Sequence, residues 1–411
     1  MRILLSDGAG LTSRQVATQL HRLGHHCEAL TPDRMCICRF TRHVSALHVV
    51  PRYGDDPLRW LEAALEVYEH GRFDLLLPTQ EQVAVLSLEQ RRIASLGVRT
   101  VVPEFAALAR VQDKVQASRT LDAAGIPRPP AAVLERPEDL PAWSCYPAYL
   151  KLPVGTASDS VWRLDSPGQL NALHESGGLG TIAPETPVLL EAAVPGPVLM
   201  VQSIFEHGEM RALHANLRTA EGLNAGAAGK RSLEPPALRD QMTQLGRELE
   251  WHGALSADVV VGSEGLRWID VNPRLIEPGN AWWSGVDLVT PLLQLATIGH
   301  SEVQPPPAPG VATHQLLLAI LGASERRHAR RAIGAELIQR MVRRGIYASS
   351  VEELSPCLGD ALAPVLPALA AAATLTFPRS RMWFAGSVRQ YALSPEGWHQ
   401  LLARAASSRT D

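Results

Sequence analysis

The segment "GALSADVVVGSEGLRWIDVNPR", residues 253–274, restricts the fold more than any other part of the sequence. From Gly265 onward it reads as a buried strand, yet it carries Asp270, Asn272 and Arg274 at alternate positions. Successive side chains of a strand point to opposite sides, so these three share one surface, and Ile269 and Val271 are expected on the core side. Asp258 lies on the incoming strand. With the turn at Ser263–Glu264, its carboxylate faces Asp270 across the ladder. Like charges so placed repel unless a cation sits between them. Asp258, Asp270 and Asn272 then make an all-oxygen site for Mg2+ (or Mn2+), with Arg274 one step further to grip a phosphate oxygen. The competing reading is a solvated polar face in which Asn-Pro starts a turn.

The rest of the chain supplies sheet and helix around this hairpin. "RILL", the turn "SDGAG" and an amphipathic helix open an α/β unit, and Asp56–Tyr68 reads as another helix. "FDLLLPTQ" is a buried strand ending at Pro78, so the order implies a parallel sheet with helices on both faces. "DGAG" lacks the third glycine of a dinucleotide fingerprint and reads as a tight turn. Beyond Pro103, one helix carries Asp113 and Lys114 and stops at Gly125. Lys151 then lies on a strand before a loop of small and hydroxyl residues. Two strands meet at a polar turn, Glu206–Glu209, and helices are expected over 237–251 and 286–299. "SEVQPPPAPG" reads as a linker to a mostly helical remainder, with strand candidates in "ATHQLLLAIL" and "SRMWFAGSVRQYAL".

Several function classes are disfavoured. A net charge of -3 over 411 residues, with no long basic run, gives no electrostatic case for nucleic acid. The apolar run before Ser6 is too short for a signal peptide or a membrane span, and no membrane partner is expected. Five scattered cysteines argue against a disulfide framework and for a cytoplasmic setting. Cys36, Cys38 and His43 lack the paired spacing of a zinc site. No Ser-His-Asp or Cys-His nucleophile pattern stands out.

Four motifs occur in order: "QDKVQASRTLDAAGIPRPP", "YPAYLKLPVGTASDSV", "LLEAAVPG" and the hairpin. Together they resemble the ATP-grasp superfamily of carboxylate-amine ligases, which includes L-amino acid ligases and carbamoyl-phosphate-synthase-like enzymes. The resemblance covers about residues 1–300 and implies a mixed α/β and α+β chain: a parallel-sheet domain (1–102), a linker helix and lid (103–187), a nucleotide and metal subdomain (188–302) and a mostly helical extension (303–411). It also implies ATP and Mg2+ as cofactors and an ADP-forming enzyme that joins a carboxylate to an amine. By that resemblance Lys114 and Lys151 hold the α- and β-phosphates, and Gly155, Ser158 and Ser160 belong to the loop that closes over them. Glu191 and Val194 would read adenine. Asp258, Asp270 and Asn272 would ligate metal, and Arg274 would support the transferring phosphoryl group. Arg218 would contact the substrate carboxylate or acyl phosphate.

Three departures stand out: a loop with one glycine and Asp159-Ser160, Pro197-Val198 where an acidic ribose ligand is common, and Asp270 in place of Glu. Substrates are expected to be small carboxylates and amines, amino acids among them. Glu81 is a candidate for an amino group, Trp282 and Trp283 for an acceptor wall, though core packing is favoured for them, and Lys230 and Arg231 for a carboxylate on a mobile loop. The basic "ERRHARRAIG" reads as a solvated helix face, and the extension could cover the site or join a homodimer. The rival functions are a non-catalytic ATP-binding protein and a partner subunit.

Overall fold

Among the described residues three β-sheets organise the chain; the computed structural model describes residues 1–135, 143–155, 160–176, 187–354 and 359–407. The first sheet is parallel, in the order β3 (Leu47–Val49), β2 (His26–Thr31), β1 (Arg2–Leu5), β4 (Leu75–Leu77). Helix Leu11–Arg22 links β1 to β2, and helix Pro57–Gly71 links β3 to β4. At the turn after β1, the Asp7 carboxylate accepts hydrogen bonds from the Ala9 and Gly10 amides and the Ser13 hydroxyl. A Cβ at Gly10 would lie 2.2 Å from Gln80 Nε2, so close packing of the turn needs the glycine.

The second sheet is antiparallel: β5 (Ala131–Leu134), β8 (Val188–Ala192), β6 (Ala148–Lys151), β7 (Val161–Leu164). Since β8 pairs here, this sheet draws on residues from both sides of position 187. The single helix expected after Pro103 is two, Phe105–Gln112 and Lys114–Ala123. Asp113 breaks it: its backbone is extended (φ -92, ψ 126) and its carboxylate caps the Val115 and Gln116 amides. Lys114 thereby opens the second helix, its amide bonded to the Pro153 carbonyl at 2.8 Å.

The third sheet has the order β13 (Gly265–Asn272), β12 (Gly253–Gly262), β9 (Val198–Glu206), β10 (Glu209–Glu221), β11 (Ala227–Ser232), β14 (Ala312–His314), β15 (Val351–Glu352). Its two faces have opposite chemistry. Leu199, Val201, Leu213, Ala215, Leu255 and Ala257 share a core with Met242 and Leu245 of helix Leu238–Glu248. On the other face the cross-strand registers align Asn272, Ser256, Gln202 and His214 in one row, and Asp270, Asp258, Met200, Asn216 and Ser232 in the next. The alternating polar residues of the hairpin are one edge of this polar face.

The C-terminal region is built into the rest. β14 and β15 extend the third sheet, and helix Pro395–Ser407 sends Trp398 and Leu401 into the core that holds Trp60. The strand expected in "SRMWFAGSVRQYAL" is instead helix Arg381–Ala385 and a 3-10 turn, Gly386–Gln390. Pro378 begins a helical turn just before it, and the chain continues in that geometry. No helix among the described residues is long and apolar enough to cross a membrane.

Candidate active site

The hairpin closes between Gly262 and Gly265, and Asp258 pairs directly with Asp270. The ladder then slips, so that Val259 pairs with Trp268 and Ile269 has no partner. This β-bulge changes the expected alternation. Leu266, Trp268 and Val271 are buried, whereas Ile269 is only half-buried and is not the core residue anticipated. The Ile269 carbonyl instead accepts a hydrogen bond from Lys151 Nζ at 2.8 Å.

Burial and then the facing Asp270 push the Asp258 carboxyl up to about 7, with Arg218, Arg274 and Lys151 pulling the other way. Asn272 Nδ2 donates to Asp270 Oδ2 at 3.4 Å. A divalent cation between the two carboxylates would remove their repulsion, so the donor set fits one. Among the described residues no group of three or more His, Cys, Asp or Glu side chains could hold a metal. Two carboxylates and an amide would therefore share it with water and phosphate oxygens, the habit of Mg2+.

A polar cavity of about 120 Å3 lies beside Asp270, lined by Lys114, Gly155, Asn272, Arg274 and Glu81. Lys114 Nζ donates to the Gly155 carbonyl at 2.9 Å. Lys151 donates to Glu191 and to Ile269; an ammonium has three donors, so among the described residues one has no partner. Glu191 is buried and pairs with Lys151; burial holds its carboxyl above the usual value, with Lys151 opposing. Val194 packs near the hairpin turn: its Cγ1 would be 3.4 Å from a Cβ at Gly262. Arg274 pairs with Glu81 at 3.5 Å, and Glu81 also accepts from the Leu393 amide at 2.7 Å. Ser158 and its neighbours in 156–159 lie outside the described residues. At the loop's ends, a Cβ on Gly155 would fall 2.1 Å from Ser160 Oγ, so only glycine allows that approach.

A second cavity, about 750 Å3, opens over the other side of the ladder pair. Arg218, Asp258 and Glu277 form its polar end beside Met200, and residues from 9–11, 33–40, 223–227, 317–321 and 366–391 line most of the remainder. Arg218 donates to the Ala225 carbonyl at 2.5 Å and pairs with Glu221 at 3.6 Å. Lys230 is not on a mobile loop. It lies on β11, fully buried, 2.6 Å from Glu277 and 2.7 Å from Glu353, while Arg231 is exposed on the opposite side of the strand. Burial disfavours its ammonium, but the two glutamates outweigh that and hold its pKa above the usual value. Gln315 donates to Glu353 at 2.8 Å and to Glu277. Trp282 and Trp283 sit under the Arg22 guanidinium, 5.6 and 5.1 Å from its carbon, and line neither cavity. Glu277, Glu353, Gln315 and the C-terminal wall went unseen in the sequence; no local spacing ties them to the hairpin.

No protein-family model and no curated protein sequence matches this chain. Solved structures do. A biotin carboxylase of Campylobacter jejuni, described as a complex with β-γ-ATP, is 15% identical with a TM-score of 0.58, over 73% of this chain and 71% of that one. An L-amino acid ligase from Bacillus licheniformis is 14% identical with a TM-score of 0.58, over 77% and 80%. An N5-carboxyaminoimidazole synthetase from Staphylococcus aureus is 15% identical with a TM-score of 0.57, over 77% and 82%. At these identities the likeness is one of architecture: the chain has the ATP-grasp fold, with a parallel sheet, antiparallel sheets and a helical C-terminal part.

Proposed function

We propose that this chain is an ATP-dependent ligase that activates a carboxylate as an acyl phosphate and passes the acyl group to an amine, releasing ADP and orthophosphate. The observation that carries the reading is the Asp258–Asp270 cross-strand pair, completed by Asn272 and set between two cavities. The smaller cavity suits phosphate oxygens, with Lys114 and Arg274 on its lining and Lys151 behind the bulge. Asp258, Asp270 and Asn272 would hold Mg2+, which would neutralise triphosphate charge there.

In the first step a carboxylate oxygen, steered by Arg218, attacks the γ-phosphorus; the bond to the β-phosphate oxygen breaks and ADP leaves. In the second, the amine nitrogen attacks the acyl carbon, orthophosphate departs with the C–O bonding pair, and the nitrogen loses a proton. The protein's share is alignment and charge neutralisation, with no covalent nucleophile. The relatives' names support this class: a carboxylase, an amino acid ligase and a synthetase. Amino acids are the acids and amines we favour.

The test is incubation with ATP, Mg2+ and pooled acids and amines, reading ADP, orthophosphate and pyrophosphate. Orthophosphate with ADP, dependent on both substrates, is expected. Pyrophosphate would exclude this chemistry, and bound but unconsumed ATP would favour a non-catalytic ATP-binding protein.

A further inference from the structure

Resting on that ligase reading, we propose that the 750 Å3 cavity takes a carboxylic acid with a large apolar body, aromatic or branched aliphatic, its carboxylate on the sheet and its body enclosed by the C-terminal region. The cavity is chemically divided. Its inner end is the polar sheet face, where Arg218 is the only cation among the described lining residues and Asp258 leads to the phosphate side. Its outer part is apolar, with Leu318, Leu321, Leu369, Trp383 and Phe384 among the lining side chains. A small acid such as acetate would leave most of that volume unfilled. Cavities of roughly 300–1,000 Å3 hold ligands of some size.

Two further observations support an absent occupant. Met35, Leu369 and Trp383, from segments distant in sequence, are 66%, 50% and 79% exposed, yet all three line this one cavity. Single exposed apolar side chains are ordinary; several around one opening mark a binding surface. Next to the polar end, though not on the cavity lining, Asn216 lies two residues before Arg218 on β10, aligned with Asp258 through Met200. It is fully buried, and neither amide atom has a hydrogen-bond partner among the described residues. An unpaired buried amide costs about 1–3 kcal/mol. The sheet face beside the polar end therefore has unused hydrogen-bonding capacity, and the outer part has unused apolar surface. A molecule with a charged head and an apolar body meets both needs.

Hydroxylamine in place of the amine isolates the acid, since the acyl phosphate is trapped as a hydroxamate. With ATP and Mg2+, 3-phenylpropionate, phenylalanine and leucine should give kcat/KM at least about tenfold above acetate and glycine. Trp383→Ala and Leu369→Asp, both at exposed positions, should shrink that ratio by raising KM for the larger acids. ADP formation with acetate or glycine but not with the apolar acids overturns the proposal and leaves the ligase reading intact, as does a ratio unmoved by both substitutions. If no acid yields ADP, the ligase reading fails separately, and calorimetric titration of the intact protein decides the cavity. Saturable binding of 3-phenylpropionate that Leu369→Asp weakens sustains it, and equal, non-saturable responses to 3-phenylpropionate and acetate overturn it.

Discussion

The cavities on the two sides of the Asp258–Asp270 pair are built in opposite ways. The smaller, of about 120 Å3, draws Asp270, Asn272 and Arg274 from five consecutive residues and adds Lys114 and Gly155. The larger, of about 750 Å3, takes its lining from Ala9 to Tyr391 and is mostly apolar. Charge needs specific partners at fixed spacing, whereas an apolar wall needs only enough hydrocarbon of about the right shape. The first cavity is thus specified locally and the second by how distant segments pack.

The largest way to break this contrast is at Lys230, the buried ammonium that ties Glu277 at the polar end to Glu353 from the C-terminal region. Lys230→Met should cost about 3–5 kcal/mol in urea unfolding, because it leaves the buried Glu353 and the half-buried Glu277 without their cation. Adding Glu353→Gln should recover part of the loss. A cost under about 1 kcal/mol would mean that the polar end does not anchor the wall. Next comes Asp270→Asn, expected to lower ATP turnover by about 10²–10³-fold, the scale for one lost electrostatic group. The metal-free protein should gain about 0.5–1 kcal/mol, because one of two facing like charges is gone, and the rise in Tm on adding Mg2+ with ATP should vanish, since only binding to the folded state produces it. Asp258→Asn should stabilise the metal-free protein by about 0.5–1 kcal/mol, because it removes one of two facing like charges. Equal Mg2+ effects in wild type and both variants would remove the cation from the site.

The same contrast explains what could be read from sequence. The Asp258–Asp270 register was legible because a two-residue turn between glycines fixes which residues face each other. The bulge at Ile269 was not, since one extra residue leaves no mark in a period-two pattern. Asp113 and Lys114 were found, but as mid-helix residues; that Asp113 is a cap could have been taken from its identity and position. Glu191 was located correctly on its strand, yet its partner Lys151 comes from a neighbouring strand whose register no single segment reveals. Lys230 beside glycines suggested a loop, and only the pairing of β11 with β10 and β14 shows it to be sheet interior. Leu369 and Trp383 were invisible as wall residues, because helical leucines and aromatics look alike whether they pack a core or a ligand.

A further expected effect concerns pH and also separates the two regions. His214, on the polar face, is fully buried, its Nε2 bonded to Asn280 Oδ1 at 3.0 Å. Burial, with Lys230 adding to it and Asn280 opposing, lowers its pKa to about 3, and burial lowers His314 on β14 to about 4. An unfolded histidine titrates near about 6.5. Between these values the unfolded chain binds more protons than the folded one, so stability rises with pH across the window and is lost as pH falls below about 6.5. The slope is at most about 1.4 kcal/mol per pH unit for each histidine. His214→Gln keeps a donor for Asn280 and should flatten the dependence of the urea midpoint between pH 5 and 6.5, while Trp383→Ala, a wall residue with no titrating group, should leave that slope unchanged. If both substitutions alter the slope alike, the acid response does not originate in the polar face, and the division of the molecule into a charged end and an inert wall is wrong.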